Sequence, residues 1–453
     1  MNPINKDKSF IPEIRVYLLL IILFSSCKKF LEERPNKQLV VPSTVKDAQA
    51  LLDYYTVMNT WYPPTGAMSD DDYYLADTYY NSATTLNQNI YTWAKDIHND
   101  NDWNFMYSVV LSSNLALETI DKINADTVRG SALFFRANAF YQLAQYYAVP
   151  YDKSTASQLP GIPLRLTSNV TEPIARATLE DTYGKILSDL KMAVTLLPVI
   201  NLPVSRPSKT AAYGLLARVY MAMEDYSQAG KYADSSLSLY NSLLNYNSID
   251  PAAAVPFTQF NAEVIWHTTV LVSAPLSMTN WRLDSSLYTS YATNDLRRVL
   301  FFKSNGSGAA TYYTFKGNYD ASTSGAFFNG ITTAEMYLVR AECAARRGDK
   351  DAAMSDLNTL LQKRWKTGTY ALVTAVSADD ALVKVLQERR KELVGRGLRW
   401  FDLRRLNRDS RFAKTLMRIV NGQQYLLAPN DPRYTFFIPQ LVIDLNGLEQ
   451  NPR

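Results

Sequence analysis

The chain is poor in the residues on which most reactive chemistry depends. Its 453 residues hold two histidines, His98 and His267, and two cysteines, Cys27 and Cys343. That excludes a disulfide framework and any zinc site needing several cysteine or histidine ligands. No HExxH, Walker loop or dinucleotide glycine pattern occurs, and Gly306-Ser307-Gly308 lacks the frame of a nucleophile elbow. Asp100, Asp102 and Asn104 alternate their oxygens as a calcium loop does. Phe105 nevertheless stands where glycine is required, and Leu111 where the bidentate glutamate belongs. No metal and no cofactor is therefore expected. Charge of one sign is scarce too, because a net +4 over this length is too slight an imbalance to point to nucleic acid. With 47% hydrophobic and 20% charged residues, the chain can bury a large core.

Long hydrophobic runs are also missing, with one short exception. Val16 to Phe24 (VYLLLIILF) is apolar, yet too short to cross a bilayer as a helix, which takes about 20 residues. Lys6, Lys8 and Arg15 precede it, and Ser25-Ser26-Cys27 follows, small residues ahead of a cysteine. The pattern reads as a lipoprotein signal peptide over residues 1–26, cleaved so that Cys27 carries acyl chains. Phe24 stands where leucine is commoner in such a lipobox. Each buried methylene adds about 0.8 kcal/mol, so several chains on one residue anchor stably. Cys343 is then left alone in a helical Arg340–Ala344 run and reads as a small buried hydrophobe.

The mature chain reads mainly as helix. Ser43 or Thr44 caps a stripe of Val45, Ala48, Leu52, Tyr55 and Met58. Trp103, Tyr107, Val110, Leu111, Asn114 and Leu117 form a second stripe, and residues 131–147 a third that is apolar over most of its circumference. Thr178-Leu179-Glu180-Asp181 resembles a capping box opening a helix that Pro198 stops. Residues 210–239 and 333–361 share a pattern. Ala217 and Ala229 stand at the same interval as Ala341 and Ala353, with Tyr213 and Tyr337 four positions ahead. That is the spacing of the small residues at which paired helices touch in a tetratricopeptide repeat. Repeats so far apart in the chain do not make a continuous solenoid, so other elements are expected to interrupt them.

What the chain has in excess is tyrosine, 30 of them in an aromatic content of 12%. Two stretches, 59–94 and 240–332, are irregular, polar and aromatic, with Val264–Trp266 and Tyr312–Phe315 as short strands. Long irregular stretches in a helical protein carry function or are disordered, and aromatic density argues against disorder. Flat apolar faces stack on sugar rings, and neighbouring Asp, Asn and Arg groups bond hydroxyls; peptides use the same residue types. The candidate ligand-binding residues are Trp61, Tyr62, Asp72, Tyr73 and Tyr74 in the first stretch, with Trp281, Tyr288, Tyr291 and Tyr313 in the second. Tyr79, Tyr80 and Tyr312 belong to the same clusters. Asp70-Asp71-Asp72 could pair carboxylates for glycoside hydrolysis, but neighbouring positions in a loop rarely point the same way, and a solvated turn or ligand-hydroxyl acceptor fits it better. His267 beside Trp266 reads as a satisfied buried side chain.

Near the C-terminal end, Leu386 to Leu406 (LQERRKELVGRGLRWFDLRRL) is dense in arginine interleaved with Trp, Phe and Leu. The apolar residues favour an arginine–carboxylate network fastening helices over a basic binding patch. Glu388–Leu393 followed by Gly397-Leu398-Arg399-Trp400-Phe401-Asp402-Leu403-Arg404-Arg405 resembles the C-terminal signature of the SusD/RagB family. The likeness continues at Asp295–Arg298, Glu335–Glu342, Leu357-Asn358, Tyr434–Gln440 and Asn451-Pro452. Arg396 departs from it, standing where the family more often has an acid, a change expected to re-pair charges locally. Lys28–Glu33 resembles the charged tether that sends such lipoproteins to the cell surface.

The resemblance implies a mainly α, single SusD-like domain over residues 27–453. Tetratricopeptide-type helices would occupy about 103–240 and 333–406, ligand-facing insertions about 59–94 and 240–332, with a few short strands. It also implies a lipid-anchored protein on the exterior of the cell outer membrane. Such a protein captures a glycan or peptide, without breaking a bond, and passes it to a SusC-like TonB-dependent transporter. A tetratricopeptide scaffold lipoprotein and a surface glycan hydrolase are the alternatives. Cys27→Ser is expected to abolish incorporation of labelled palmitate and to release the chain from the membrane fraction; labelling undiminished in that variant overturns the anchor.

Overall fold

Good caps and apolar stripes set a frame of helices, in chain order α1 (Asp100–Thr119), α2 (Asp126–Tyr147), α3 (Leu179–Leu196), α4 (Lys209–Ala222), α5 (Tyr226–Leu239), α6 (Thr333–Arg346), α7 (Lys350–Leu361), α8 (Ala378–Glu392) and α9 (Arg399–Leu406). Thr178 opens α3 by accepting the Asp181 N–H at 3.0 Å. Ser208, Asp225, Thr332, Asp349 and Ser377 cap α4 to α8 in the same way. Each such cap contributes about 1 kcal/mol. The protein is described here by a computed structural model covering residues 42–453. Cys27, the signal segment and the Lys28–Glu33 tether lie outside the described residues. Ser43–Arg453 forms one compact unit, and no described helix is long and apolar enough to cross a membrane.

Successive helices from α1 to α6 pack on one another, and α7 and α8 close on α6. α2 is buried along nearly its whole length, as its all-round apolar character requires. Ala217, Ala229, Ala341 and Ala353 are fully buried, so both helical hairpins touch where the repeat spacing places them. The interruption expected between the two repeats exists in the chain and vanishes in space. α5 lies directly against α6, and a methyl on Gly230 would stand 2.9 Å from the Cys343 Cβ. Cys343 is a free, buried thiol at that seam. Burial pushes it up to about 12, so it stays an inert hydrophobe.

Two expectations change. The first stripe is not continuous: helix Val45–Leu52 ends at Asp53, and a new one starts at Tyr55. Residues 59–94 are largely short helices, Thr65–Ser69, Asp77–Ser82 and Thr85–Tyr91, of one to two turns each. A helix that short shows no readable period. All sheets among the described residues are two-stranded. The sequence reading passed over the hairpin of Leu416–Val420 with Gln423–Leu427, although Asn421-Gly422, both at positive φ, form its turn.

Buried ion pairs join the second insertion to the frame. Arg364 is fully buried between Glu263 (2.7 Å) and Glu392 (2.8 Å). Arg297 reaches Asp295 (2.7 Å), Glu388 (2.6 Å) and Glu392 (3.1 Å). Burial pushes the Glu392 carboxyl up, but Arg364 and Arg297 pull harder and leave it below the ordinary glutamate value. Arg405 holds Glu342 at 2.6 Å, Arg389 holds Asp402 at 2.8 Å, and Arg218 holds Glu335 at 2.6 Å. The arginine-rich stretch is thus a set of fasteners. Arg396 makes no ion pair among the described residues. Its guanidinium lies 3.5 Å over the Tyr319 ring, so an aromatic face takes the place of the expected charge re-pairing.

Removing one partner of a buried pair strands the other charge. Glu392→Gln is expected to cost about 3 kcal/mol in denaturant unfolding, whereas Asp53→Asn, at the exposed Arg206 pair, should change stability by less than about 1 kcal/mol. Asp102 supplies a pH test. Burial raises it to about 7, and hydrogen bonds with Thr65 and Asn99 offset that only in part. The folded chain then keeps a proton that the unfolded chain loses near pH 4, so this residue's contribution to stability falls as pH rises from about 4 to 7. Asp102→Asn should gain roughly 2 kcal/mol relative to the parent between pH 5 and pH 8, measured by unfolding at both values.

Candidate functional site

Strand pairing brings the two insertions together. Tyr73-Tyr74 runs antiparallel to Arg282-Leu283, with Tyr73 opposite Leu283 and Tyr74 opposite Arg282. Alternation along a strand then splits the tyrosines: Tyr73 is 3% exposed, and Tyr74 is 36% exposed. Next to this pair lies the hairpin of Phe302–Asn305 with Tyr312–Phe315, which turns Phe302 and Phe315 into the core. Arg282 sits 4.0 Å over the Tyr312 ring. Tyr288 stacks on Tyr313 with centroids 3.4 Å apart and planes 14° from parallel. Arg298 lies 4.8 Å from the Tyr288 ring, and its Nε donates to the Tyr288 hydroxyl at 3.0 Å.

These side chains make two partly exposed clusters of rings and guanidinium groups, Tyr74 and Arg282 with Tyr312, and Tyr288 and Arg298 with Tyr313, which alternation along the strand sets on opposite faces of the hairpin. The hydrogen bond with Tyr288 and the burial around it hold the Tyr313 hydroxyl above its usual value. Ring faces suit the C–H faces of a sugar, and the arginine forks suit hydroxyl or carboxylate oxygens.

Several candidates from the sequence lie beneath or away from it. Trp281 is 1% exposed, stacked on Tyr73 at 5.8 Å and 11° and wedged against Phe315 and Phe327. Tyr73 donates to the Met68 carbonyl, and Tyr291 to the Lys391 carbonyl. Tyr62 is buried against α2, taking a bond from Asn138. These four are core residues, because each ring fills interior space and each hydroxyl has an internal partner. Trp61 is half-buried against Phe105 of α1, 4.7 Å between centroids, outside the tyrosine surface. Tyr79 and Tyr80 are half-buried as well.

Asp72 is also taken. It accepts from Arg390 at 2.9 Å, while Asp71 is held by Arg399 at 2.6 Å and Lys414 at 2.7 Å. Burial pushes Asp71 up, but Arg399 and Arg390 bring it well below the carboxylate range. Asp71 and Asp72 form an ionic latch between the first insertion and the α8–α9 corner. Asp70 is buried without an ion pair among the described residues, its carboxyl accepting the Asp72 N–H at 3.0 Å and held well above the carboxylate range by burial and the neighbouring Asp72. His267 is fully buried, its Nδ1 3.0 Å from the Tyr55 hydroxyl. Asp102 turns inward to Asn99 while Asp100 and Asn104 face solvent, so their oxygens do not converge. Among the described residues no group of His, Cys, Asp and Glu is arranged to hold a metal.

The sequence reading missed Arg282 and Arg298, which reach the tyrosines only through strand register and a fold-back. It also missed Arg418. This buried arginine donates to the carbonyls of Met68 and Asp70, lies 3.7 Å over Tyr91 and holds the first insertion in place.

Comparison with known proteins agrees with this architecture. Residues 29–221 match the family model described as "Starch-binding associating with outer membrane", and residues 292–452 match the SusD family model. SusD-like protein P2 of Formosa agariphila is 27% identical over 137 residues, an alignment spanning 29% of this chain and 25% of that protein. Among solved structures, a SusD superfamily protein from Bacteroides thetaiotaomicron superposes with TM-score 0.71 at 20% identity, covering 90% of this chain and 100% of that one. A SusD-like carbohydrate binding protein from Bacteroides vulgatus gives 0.70 at 19%, covering 89% and 96%. The surface glycan-binding protein A from Bacteroides uniformis gives 0.68 at 16%, covering 90% and 99%. The helical frame, its irregular insertions and the two family matches lead to one conclusion: the chain belongs to the SusD/RagB family.

Proposed function

We propose that this protein binds carbohydrate at the outer membrane, on the partly exposed clusters of Tyr74, Arg282 and Tyr312 and of Tyr288, Arg298 and Tyr313. The observation that carries this reading is the presence, where the two insertions pair, of partly exposed tyrosines stacked on one another or seated against arginines. Relatives named as glycan- or carbohydrate-binding proteins, and a family described by starch binding and outer-membrane association, support it. Binding is capture without bond cleavage. In the Asp70–Asp72 cluster, Asp71 and Asp72 are taken by Arg390, Arg399 and Lys414. Acylation at Cys27 holds the protein on the outer face of the membrane, and a SusC-like TonB-dependent transporter receives the ligand.

Calorimetry against a panel of oligosaccharides and peptides tests the site. Tyr288→Ala and Tyr313→Ala should each weaken glycan binding about tenfold or more, the loss of one stacking contact of roughly 1–1.5 kcal/mol. Their unfolding midpoints should stay close to the parent's. Trp281→Ala should instead cost about 3–5 kcal/mol of stability, because it opens a cavity in the core. Affinity unchanged in both tyrosine variants discards this surface, and binding confined to peptides replaces glycan as the ligand. Co-purification of the acylated chain with a large barrel transporter tests the delivery step.

A further inference from the structure

A second cleft, of about 570 Å³, lies between the 149–159 segment, the C-terminal end of α9 and the 430–435 loop. It shares no residue with the tyrosine surface. Arg404 lines it and is 3% exposed. One of its nitrogens, Nη2, donates to the Ala148 carbonyl. Its Nε and Nη1 are buried with no partner, and no carboxylate among the described residues pairs with it. Burial accordingly pulls this arginine down to about 10, the tyrosines Tyr183, Tyr141 and Tyr146 supplying only a weak opposing pull.

The neighbouring donors are unmatched too. The Asn407 side-chain oxygen accepts the Lys414 N–H at 3.1 Å, which fixes the amide so that Nδ2 is the free end. That Nδ2 and the Tyr434 hydroxyl, on two residues that line the cleft, face each other, burial raising the phenol and the amide lowering it, and neither has a further partner among the described residues. The other charges around the cleft are already balanced. Arg408 pairs with Asp152 (2.7 Å) and Glu224 (2.6 Å), and Asp431 with Arg433 (2.8 Å). What remains is one uncompensated guanidinium, on a cleft that Asn407 and Tyr434 also line, and a buried charge without a counter-ion is unfavourable.

We propose that this cleft is an oxyanion-binding site, in which Arg404, Asn407 and Tyr434 hold the carboxylate of an acidic sugar or a small inorganic oxyanion of the same chemistry. The anion neutralises Arg404 and accepts from the Asn407 amide and the Tyr434 hydroxyl. Charge-assisted bonds of this kind are about twice as strong as neutral ones. Arg408, held by two acids at the rim, keeps the entrance from being uniformly positive, so the selectivity rests on the buried arginine.

Thermal unfolding of the full chain in sodium glucuronate, glucose and sodium phosphate at matched ionic strength tests the site. Glucuronate should raise the unfolding midpoint by about 1–3 °C with saturating dose dependence, and glucose should leave it unchanged. A response to phosphate alone supports the site and assigns it to inorganic oxyanions. Arg404→Gln should keep the fold and lose the response. Asn407→Asp places a carboxylate beside the guanidinium, and should raise the midpoint without ligand while abolishing the response. Tyr288→Ala should retain the glucuronate response, which separates this cleft from the tyrosine surface. Equal shifts with glucose and glucuronate, or a response surviving in Arg404→Gln, overturn the proposal. If Arg404→Gln does not fold, Asn407→Asp decides: an undiminished glucuronate response in it overturns the proposal.

Discussion

A guanidinium cannot shed its proton to escape burial, so wherever the chain buries an arginine it must bring a carboxylate, a carbonyl or a ring to meet it. This constraint organises the molecule. Arg364 and Arg297 share Glu392 and draw Glu263, Asp295 and Glu388 to the same place, so residues from the second insertion and from the frame meet at one buried charge cluster. The Asp71 and Asp72 latch on Arg390 and Arg399 does the same for the first insertion. Such pairs add less net stability than an apolar core of equal volume, but a wrong arrangement would leave several charges stranded. The insertions are thereby held in one position although little regular structure supports them.

The proposed ligand site depends on that positioning. Tyr288 and Tyr313 stack, and Arg282 meets Tyr312, because the segments carrying them are pinned beneath by Tyr73, Trp281, Phe302 and Phe315. A ring already stacked and a guanidinium already seated on a ring lose little freedom when a ligand arrives, which favours binding. Arg404 is the contrasting case. It lies in the same arginine-rich segment as Arg399 and Arg405, yet it alone of the three has no acid, and its free donors line a cleft.

The helical frame was largely legible. Stripes of period 3.6, capping residues such as Thr178 and Ser208, and the matched alanines of the two repeats are local signals, and their consequences are local. The purpose of the arginine-rich stretch could also be read, because Trp400, Phe401 and Leu403 between the charges mark a buried segment. The direct stacking of α5 on α6 could not be read, since the irregular 240–332 stretch marks an insertion between the repeats without showing that its two ends return to one place. Which candidate aromatics reach the surface was half legible: Tyr74, Tyr288 and Tyr313 do, while Tyr62, Tyr73, Tyr291 and Trp281 are core.

Sequence alone determined which side chains were available: few nucleophiles, many tyrosines, arginines set among apolar residues, and small residues at repeat spacing. Composition and period follow from neighbours along the chain, and those are present before folding. Tertiary structure decided which tyrosine of a pair faces out, because that depends on strand register, and a shift of one residue would exchange Tyr73 with Tyr74. It also decided which arginine is left without an acid, because a counter-charge is a matter of distance in space and not of order in the chain.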